Sequence, residues 1–141
     1  MKSNVIYKLT NSKLQTHNYF QWEVGKWQPK LSGEGGLCSS GFYHAYTHPL
    51  LAVLMNPIHA NISDPVLFIG MGRGVFADDR GCKVGYSEMM ISKRIELPEV
   101  TTIQCQAFAI LCAKKVYKNK EWNKWADAWL SGEDRSERAA R

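Results

Sequence analysis

Residues 41–55 read GFYHAYTHPLLAVLM, and this stretch indicates both a fold and a site. Its first half holds two histidines, two tyrosines and a threonine, and its pattern is typical of an extended strand. Pro49 then favours the first turn of a helix, which we expect to end near Met55 because a residue preceding a proline, here Asn56 before Pro57, leaves the helical region. Polar groups between a strand end and a helix N-terminus are a common setting for a binding site.

The composition around this stretch is that of a folded protein. Of 141 residues, 45% are hydrophobic and 22% charged, which excludes a disordered chain. We expect one globular domain over residues 1–132 and a polar, flexible tail over residues 133–141. No apolar run approaches the roughly 20 residues that span a bilayer, and the N-terminus lacks the regions of a secretory signal. We therefore expect no membrane partner and a location in the cytoplasm.

The formal net charge is +5. Long-range attraction by such a charge is compatible with a nucleic acid, a nucleotide or an acidic protein surface as partner. The charge alone does not choose among these three classes of partner, and it gives no oligomeric state.

The four cysteines are scattered along the chain without the CxxC spacing of a zinc module. Neither a zinc site nor a disulfide framework is therefore indicated. We expect reduced and mostly buried thiols at Cys38, Cys82, Cys105 and Cys112.

Strand signals flank the opening stretch on both sides. Residues 4–9 are rich in β-branched and aromatic side chains, and residues 66–71 form the continuous apolar run of a strand buried on both faces. Residues 78–81 favour a hairpin turn, which predicts return strands over residues 83–87 and 89–95.

Helical periodicity takes over near Thr101. The first of two helices is mostly apolar, so we expect it to be buried, and the second carries Trp122, Trp125 and Trp129 on one side, which favours core packing over base stacking. The fold class predicted from these elements is α+β. We expect a mainly antiparallel sheet, a short helix after the His44 strand, and a C-terminal helical pair packed on one face of the sheet.

The histidines of the opening stretch suggest a ligand more than a metal. His44 and His48 are four residues apart, but Pro49 separates the strand from the helix, so they do not share a helical face. His17 or His59 would have to converge with them in space, which the sequence does not decide. We predict no metal site.

Glycines at residues 70–74, GMGRG, have the spacing of a loop that approaches a phosphate. The segment lacks the lysine and serine of a nucleotide-binding loop and no helix follows it, which favours a flexible hairpin end. The side chains that we predict to bind a ligand, most of them polar residues near strand ends, are Lys8, His44, Thr47, His48 and Arg73.

Three segments resemble a small family of phage and prophage proteins of unknown function: QWEVGK at residues 21–26, Leu37 with Cys38, and GFYHA at residues 41–45 before the proline-led helix. The family places a histidine closely after Gly-Phe, whereas Tyr43 stands before His44 in this sequence. The resemblance implies an accessory protein that binds and inhibits a host factor in the host cytoplasm. A host protein or ribonucleoprotein complex, such as an RNA-guided nuclease, or a nucleotide signal would be the partner.

A second resemblance is to mono-ADP-ribosyltransferases. It rests on the order of three segments, which are residues 6–8, Tyr46 with Thr47 before the helix, and residues 86–88. Lys8 stands where that superfamily has an arginine or a histidine. The resemblance implies an enzyme that uses NAD, in which Glu88 polarises the ribose hydroxyl and Tyr46 stacks on nicotinamide.

Several interpretations therefore stay open at the level of sequence. Glu88 is otherwise an ordinary charged residue on the outer face of a strand. An inhibitor that acts by binding is our leading hypothesis, a transferase is the alternative, and a virion or assembly component is a third.

Overall fold

The computed structural model describes residues 2–136. Its contacts divide the chain between Glu99 and Val100 into two compact units, which we call the sheet unit and the helical unit. The predicted tail lies outside the described residues from 137 onward. That a single domain extends over residues 1–132, with the helical pair packed on the sheet, stays a prediction.

The sheet unit contains strands, one 3₁₀ turn and one α-helix. In chain order these are β1 (Asn4–Thr10), β2 (Gln15–Thr16), the 3₁₀ turn (His17–Tyr19), β3 (Phe20–Gln21), β4 (Tyr43–Ala45), α1 (Pro49–His59), β5 (Val66–Asp78) and β6 (Val84–Ile95). The helical unit contains α2 (Thr102–Val116) and α3 (Lys120–Ser131). The predicted α+β class, with its antiparallel sheet, short helix after the His44 strand and two C-terminal helices, is confirmed. Among residues 2–136, none of the helices has the length and apolarity needed to cross a bilayer.

The main sheet curls until its two outer strands meet. Its order is β1-β5-β6-β4, and every neighbouring pair is antiparallel. The backbones of Tyr7 on β1 and Tyr46 just after β4 then exchange hydrogen bonds of 2.8 and 2.9 Å. The strand that carries His44 is therefore held by β6 on one side and by β1 on the other.

The inside of this curled sheet holds the core. Inward side chains from β1, β4, β5 and β6 meet Trp22, whose indole N–H donates to Thr16 Oγ1 at 2.9 Å. Burying each large apolar side chain contributes about 1.5–3 kcal/mol relative to exposure. The largest members of this core are Ile6, Trp22, Tyr43, Phe68, Tyr86, Met89 and Ile91.

The long hairpin of β5 and β6 corrects two expectations. The turn over residues 78–81 is confirmed, but β6 is one strand, and the glycines of residues 70–74 lie inside β5. Gly72 is required there by packing, because any side chain at this position would collide with the Tyr86 ring. Gly74, with a φ of +85°, sits at a bulge in which Ser87 Oγ accepts from Val75 N at 2.9 Å.

Helix α1 continues past the expected end at Met55 and includes Pro57. A proline near the C-terminus removes one backbone hydrogen bond but leaves the rest of the helix intact. The Asn56 side chain closes the end by accepting from Ile62 N at 2.9 Å and donating to Ile62 O at 3.0 Å. The additional turn carries His59.

The helical unit pairs α2 with α3 through a small core in which Ile110 meets Ala126 and Trp129. Thr101 and Gln104 form a capping box at the start of α2. The expectation that α2 is buried is wrong, because most of its side chains are exposed. The expectation of mostly buried thiols is also wrong: all four cysteines are free, Cys82 is half-buried, and the exposed ones are Cys38, Cys105 and Cys112.

Candidate functional site

Four basic side chains from separate parts of the sheet unit gather near the end of β4. We call them the basic cluster: Lys8 on β1, His44 on β4, His59 at the end of α1, and Lys83 just before β6. A chain of contacts holds the cluster together. Lys8 Nζ donates to the backbone oxygen of His44, and His44 Nε2 contacts the backbone oxygen of Leu37.

Lys83 joins the cluster through the loop that precedes β4. Its Nζ lies 3.3 Å from the Sγ atom of Cys38, the residue next to Leu37 in the chain. The antiparallel pairing of β4 with β6 sets this position, since Ala45 is opposite Val84. The loop thus contacts both His44 and Lys83.

Lys8 is an unusual residue for its position. It lies on the same side of β1 as the core residue Ile6, and its Nζ is 5.1 Å from the centroid of the Trp22 ring. Burial, and secondarily the charge of Lys83, lower the pKa of Lys8 from 10.5 to about 8. Its ammonium group is therefore charged at pH 7 but poorly compensated.

The two histidines of the cluster are kept neutral. Burial lowers the pKa of His44, the hydrogen bond to the Leu37 carbonyl partly opposes this, and the charges of Lys8 and Lys83 lower the pKa further. Burial and then Lys83 lower the pKa of His59, whereas Asp79 acts in the opposite direction. Contact with the Leu37 carbonyl requires a proton on Nε2 of His44.

Tyr46 and His59 form a stacked and hydrogen-bonded pair beneath α1. Their rings are 5.9 Å apart and inclined by 12°, and Tyr46 Oη lies 2.9 Å from His59 Nδ1. Burial raises the pKa of Tyr46 to about 12, so the hydroxyl keeps its proton and donates it to Nδ1. The remaining N–H of His59 is then on Nε2.

The cluster has a positive charge without a paired carboxylate. Within residues 2–136, no carboxylate oxygen lies within ion-pair distance of Lys8 or Lys83. Half-buried ammonium groups without a counter-ion are unfavourable, and a bound anion would relieve this cost. The arrangement is suited to binding a negatively charged group.

Two predicted binding residues have a local role at the start of α1. His48 is the N-cap, and its Nδ1 accepts from Leu50 N at 3.1 Å. Thr47 is exposed beside it. Of the four histidines, His44 and His59 are brought together, while His17 lies in the 3₁₀ turn.

Arg73 and Glu88 pair with each other on the β5–β6 hairpin. Arg73 Nη2 lies 3.0 Å from Glu88 Oε1, and the guanidinium is 3.8 Å from the centroid of the Trp27 ring. This arrangement matches an ordinary cross-strand ion pair. Continuing the β4–β6 register past Ala45 places Tyr46 level with Lys83, so Glu88 is about 17 Å further along β6.

The residues implied by the transferase resemblance therefore lie apart and are held by other contacts. Tyr46 is covered by α1 and bonded to His59, and the Glu88 carboxylate already accepts from Arg73. Lys8 is near Tyr46 but not near Glu88 in the strand register.

Sequence reasoning missed Lys83 and the partner role of His59. Lys83 follows a predicted hairpin turn, and nothing local marks it as facing a loop 45 residues away. The contact of His59 with Tyr46 could not be predicted, because α1 was expected to end at Met55 and only a helix that continues through Pro57 brings His59 to Tyr46.

Possible metal ligands and comparisons with known proteins add no further assignment. In the described part of the chain, no three histidine, cysteine or acidic side chains are grouped as metal ligands. The chain matches no known protein family, no curated protein and no solved structure.

Proposed function

We propose that this protein acts by binding, and that its basic cluster binds a phosphate-bearing ligand, either a nucleotide or the backbone of a nucleic acid. One observation carries the proposal: Lys8, His44, His59 and Lys83 converge from four parts of the chain with no ion-paired carboxylate among the described residues. Lysine ammonium and imidazole N–H groups are effective phosphate donors.

Binding is favoured over catalysis because the polar atoms around the cluster are engaged in fixed structural contacts. Tyr46 donates to His59, His44 contacts Leu37, and Glu88 is held by Arg73. The free thiol of Cys38 beside the cluster accepts from Lys83 Nζ, so this lysine does not serve it as a general base.

The phage resemblance gives this binding a biological form. In that form the protein is an anti-defence accessory protein, which sequesters a nucleotide signal or occupies the nucleic-acid site of an RNA-guided nuclease. A positive net charge of +5 supports either role by attracting the ligand at long range.

The test measures binding of ATP by calorimetry and of a labelled single-stranded oligonucleotide by fluorescence polarisation. Lys83→Met should weaken binding about tenfold or more, because a charge-assisted hydrogen bond contributes roughly 1.5–3 kcal/mol. Lys93→Met is the matched control, since this exposed lysine on β6 has the same charge but lies outside the cluster.

Acidification gives a second readout. The pKa values of His44 and His59 lie below the ordinary value, so both are neutral at pH 7 and become cationic as the pH falls. Affinity for the oligonucleotide, whose phosphodiesters stay ionised, should rise as the pH falls below the ordinary histidine value of about 6.5. Equal losses for Lys83→Met and Lys93→Met, or no binding of either probe at micromolar concentration, would contradict the proposal.

A further inference from the structure

An exposed aromatic ring lies beside the Lys8 end of the basic cluster. Phe20 begins β3, and 37% of this residue is accessible. Its ring centroid is 5.3 Å from that of Trp22, and the Lys8 ammonium group is 5.1 Å from the centroid of the same Trp22 ring. Trp22 itself is buried, so Phe20 and Lys8 flank one core side chain. An accessible apolar ring and an ammonium group are therefore held close together.

Core contacts fix the position of the Phe20 ring. It meets Trp22 edge-on, with 69° between the ring planes, and its centroid is 5.7 Å from that of the core residue Tyr43. The backbone of Phe20 pairs with Thr16 across the short β2–β3 hairpin. A ring that is already ordered loses little conformational entropy when a ligand stacks on it.

The turn that precedes Phe20 is strained. Asn18 and Tyr19 have φ angles of 56° and 59°, in the left-handed region that a bulky side chain rarely adopts. Strain of this kind is concentrated at ligand-binding and catalytic sites. The turn leaves Tyr19 85% accessible. A second exposed aromatic residue thus adjoins Phe20 in the chain.

This combination suits a ligand that has both a flat aromatic part and an anionic part. Within residues 2–136, Lys8 has no ion-paired carboxylate, so its charge favours an anion. A nucleobase joined through its sugar to a phosphate has both parts. An unpaired base has a face free to stack on a protein ring, whereas a base within a duplex is already stacked on its neighbours. An unpaired base therefore fits better than a duplex or inorganic phosphate.

We propose that Phe20 stacks on an unpaired nucleobase whose phosphate is bound by the basic cluster. The inference rests on the proposed function, because the cluster supplies the phosphate contact. The base belongs to a single-stranded nucleic acid or to a free nucleotide, which share this chemistry.

Probes with and without a base test the stacking in the parent protein. One pair is a short single-stranded oligonucleotide and a strand of the same length that has abasic sites in place of its bases. The other pair is ATP and inorganic triphosphate. In at least one pair the base-bearing probe should bind about fivefold more tightly or better, as stacking of one base predicts. A difference in the oligonucleotide pair identifies a single strand as ligand, and a difference only in the ATP pair identifies a nucleotide.

Phe20→Leu assigns this preference to the ring. Leucine keeps an apolar contact with the core but has no flat face, so the variant should lose the preference and bind the base-free probes as the parent does. Phe20→Tyr, which keeps a flat ring, should retain it. Phe76→Leu is the matched control and should also retain the preference. Phe76 is likewise an exposed phenylalanine packed on a core tyrosine, Tyr86, but it lies eight residues along β5 from Phe68, the strand partner of Lys8.

The outcomes separate this inference from the proposed function. Equal affinity for both members of each pair, or a preference that survives in Phe20→Leu, overturns the stacking and leaves phosphate binding intact. Weaker binding of the base-free probes by both Phe20→Leu and Phe20→Tyr means that the ring only supports the cluster, which also overturns the stacking. Absence of binding by all four probes overturns the proposed function and this inference with it.

Discussion

Lys8 shows how one residue combines a structural cost with a proposed binding role. Its side chain is directed to the core side of β1, over Trp22, and its ammonium group has the His44 carbonyl as acceptor. An apolar residue would be more favourable for packing at this position. Stability given up at a site commonly accompanies function.

Lys8→Met should stabilise the protein at pH 7 by about 1–3 kcal/mol, because the variant no longer buries a charge. The pKa of Lys8 falls from 10.5 to about 8 on folding, so the folded state disfavours the charged form. The penalty is complete below pH 8 and disappears as the pH rises toward 10.5. Urea unfolding below pH 8 and near pH 10.5 should show a smaller stability advantage of Lys8→Met at the higher pH. At pH 7 the variant should bind phosphate probes more weakly than the parent protein. A pH-independent difference would contradict the assigned cause.

At the scale of elements, the β5–β6 hairpin depends on glycines, which leave room for side chains of the neighbouring strand. Gly72 on β5 lies under the Tyr86 ring of β6, which also contacts Phe76 with 5.1 Å between ring centroids. The glycines whose spacing suggested a phosphate-binding loop therefore allow close packing within strand β5. Helix α1 is similar, because His48, which suggested a site, is its N-cap and Pro49 is in its first turn.

Gly72→Ala should destabilise the protein by about 1–3 kcal/mol, because the added methyl group forces the buried Tyr86 ring to move. Gly36→Ala is the control, since a Cβ there meets no atom within 4 Å and its φ is not positive. That variant should change stability by less than about 0.5 kcal/mol. Chemical denaturation compares the two, and equal effects would show that the ring does not fill this space.

At the scale of the molecule, the closure of the sheet determines what β4 can present. Residues 43–45 form a strand of only three residues, which would be weak as a free edge. Its contacts with β6 and β1 hold it on both sides, and α1 begins four residues later. The basic cluster lies at this closure.

Hydrogen exchange tests the closure directly. The amides of Tyr7 and Tyr46, which bond to each other's carbonyl oxygens, should be protected to the same degree as the central β5–β6 ladder. An open sheet would leave these two amides to exchange at loop rates. Exchange of both within seconds, with a protected hairpin, would contradict the curled sheet.

Much of the fold could be predicted because its signals are local. The β-branched residues of β1, the apolar run of β5, the turn at residues 78–81 and the periodicity of α2 and α3 each reflect the preference of a short segment. The α+β class follows from their order. Pro57 misled the prediction of the end of α1, since a single lost hydrogen bond was outweighed by the contacts of the final turn.

The sequence by itself determined most of the elements, the positive charge and the prediction of a site around His44. Only the tertiary structure decided which side chains meet there, because the contacts of Lys8 with His44 and of Lys83 with Cys38 join residues 36 and 45 positions apart. Strand register and sheet closure set such contacts, and both depend on the packing of the whole sheet. For the same reason the apolar pattern of α2 predicted burial, whereas most of its side chains are exposed in the structure.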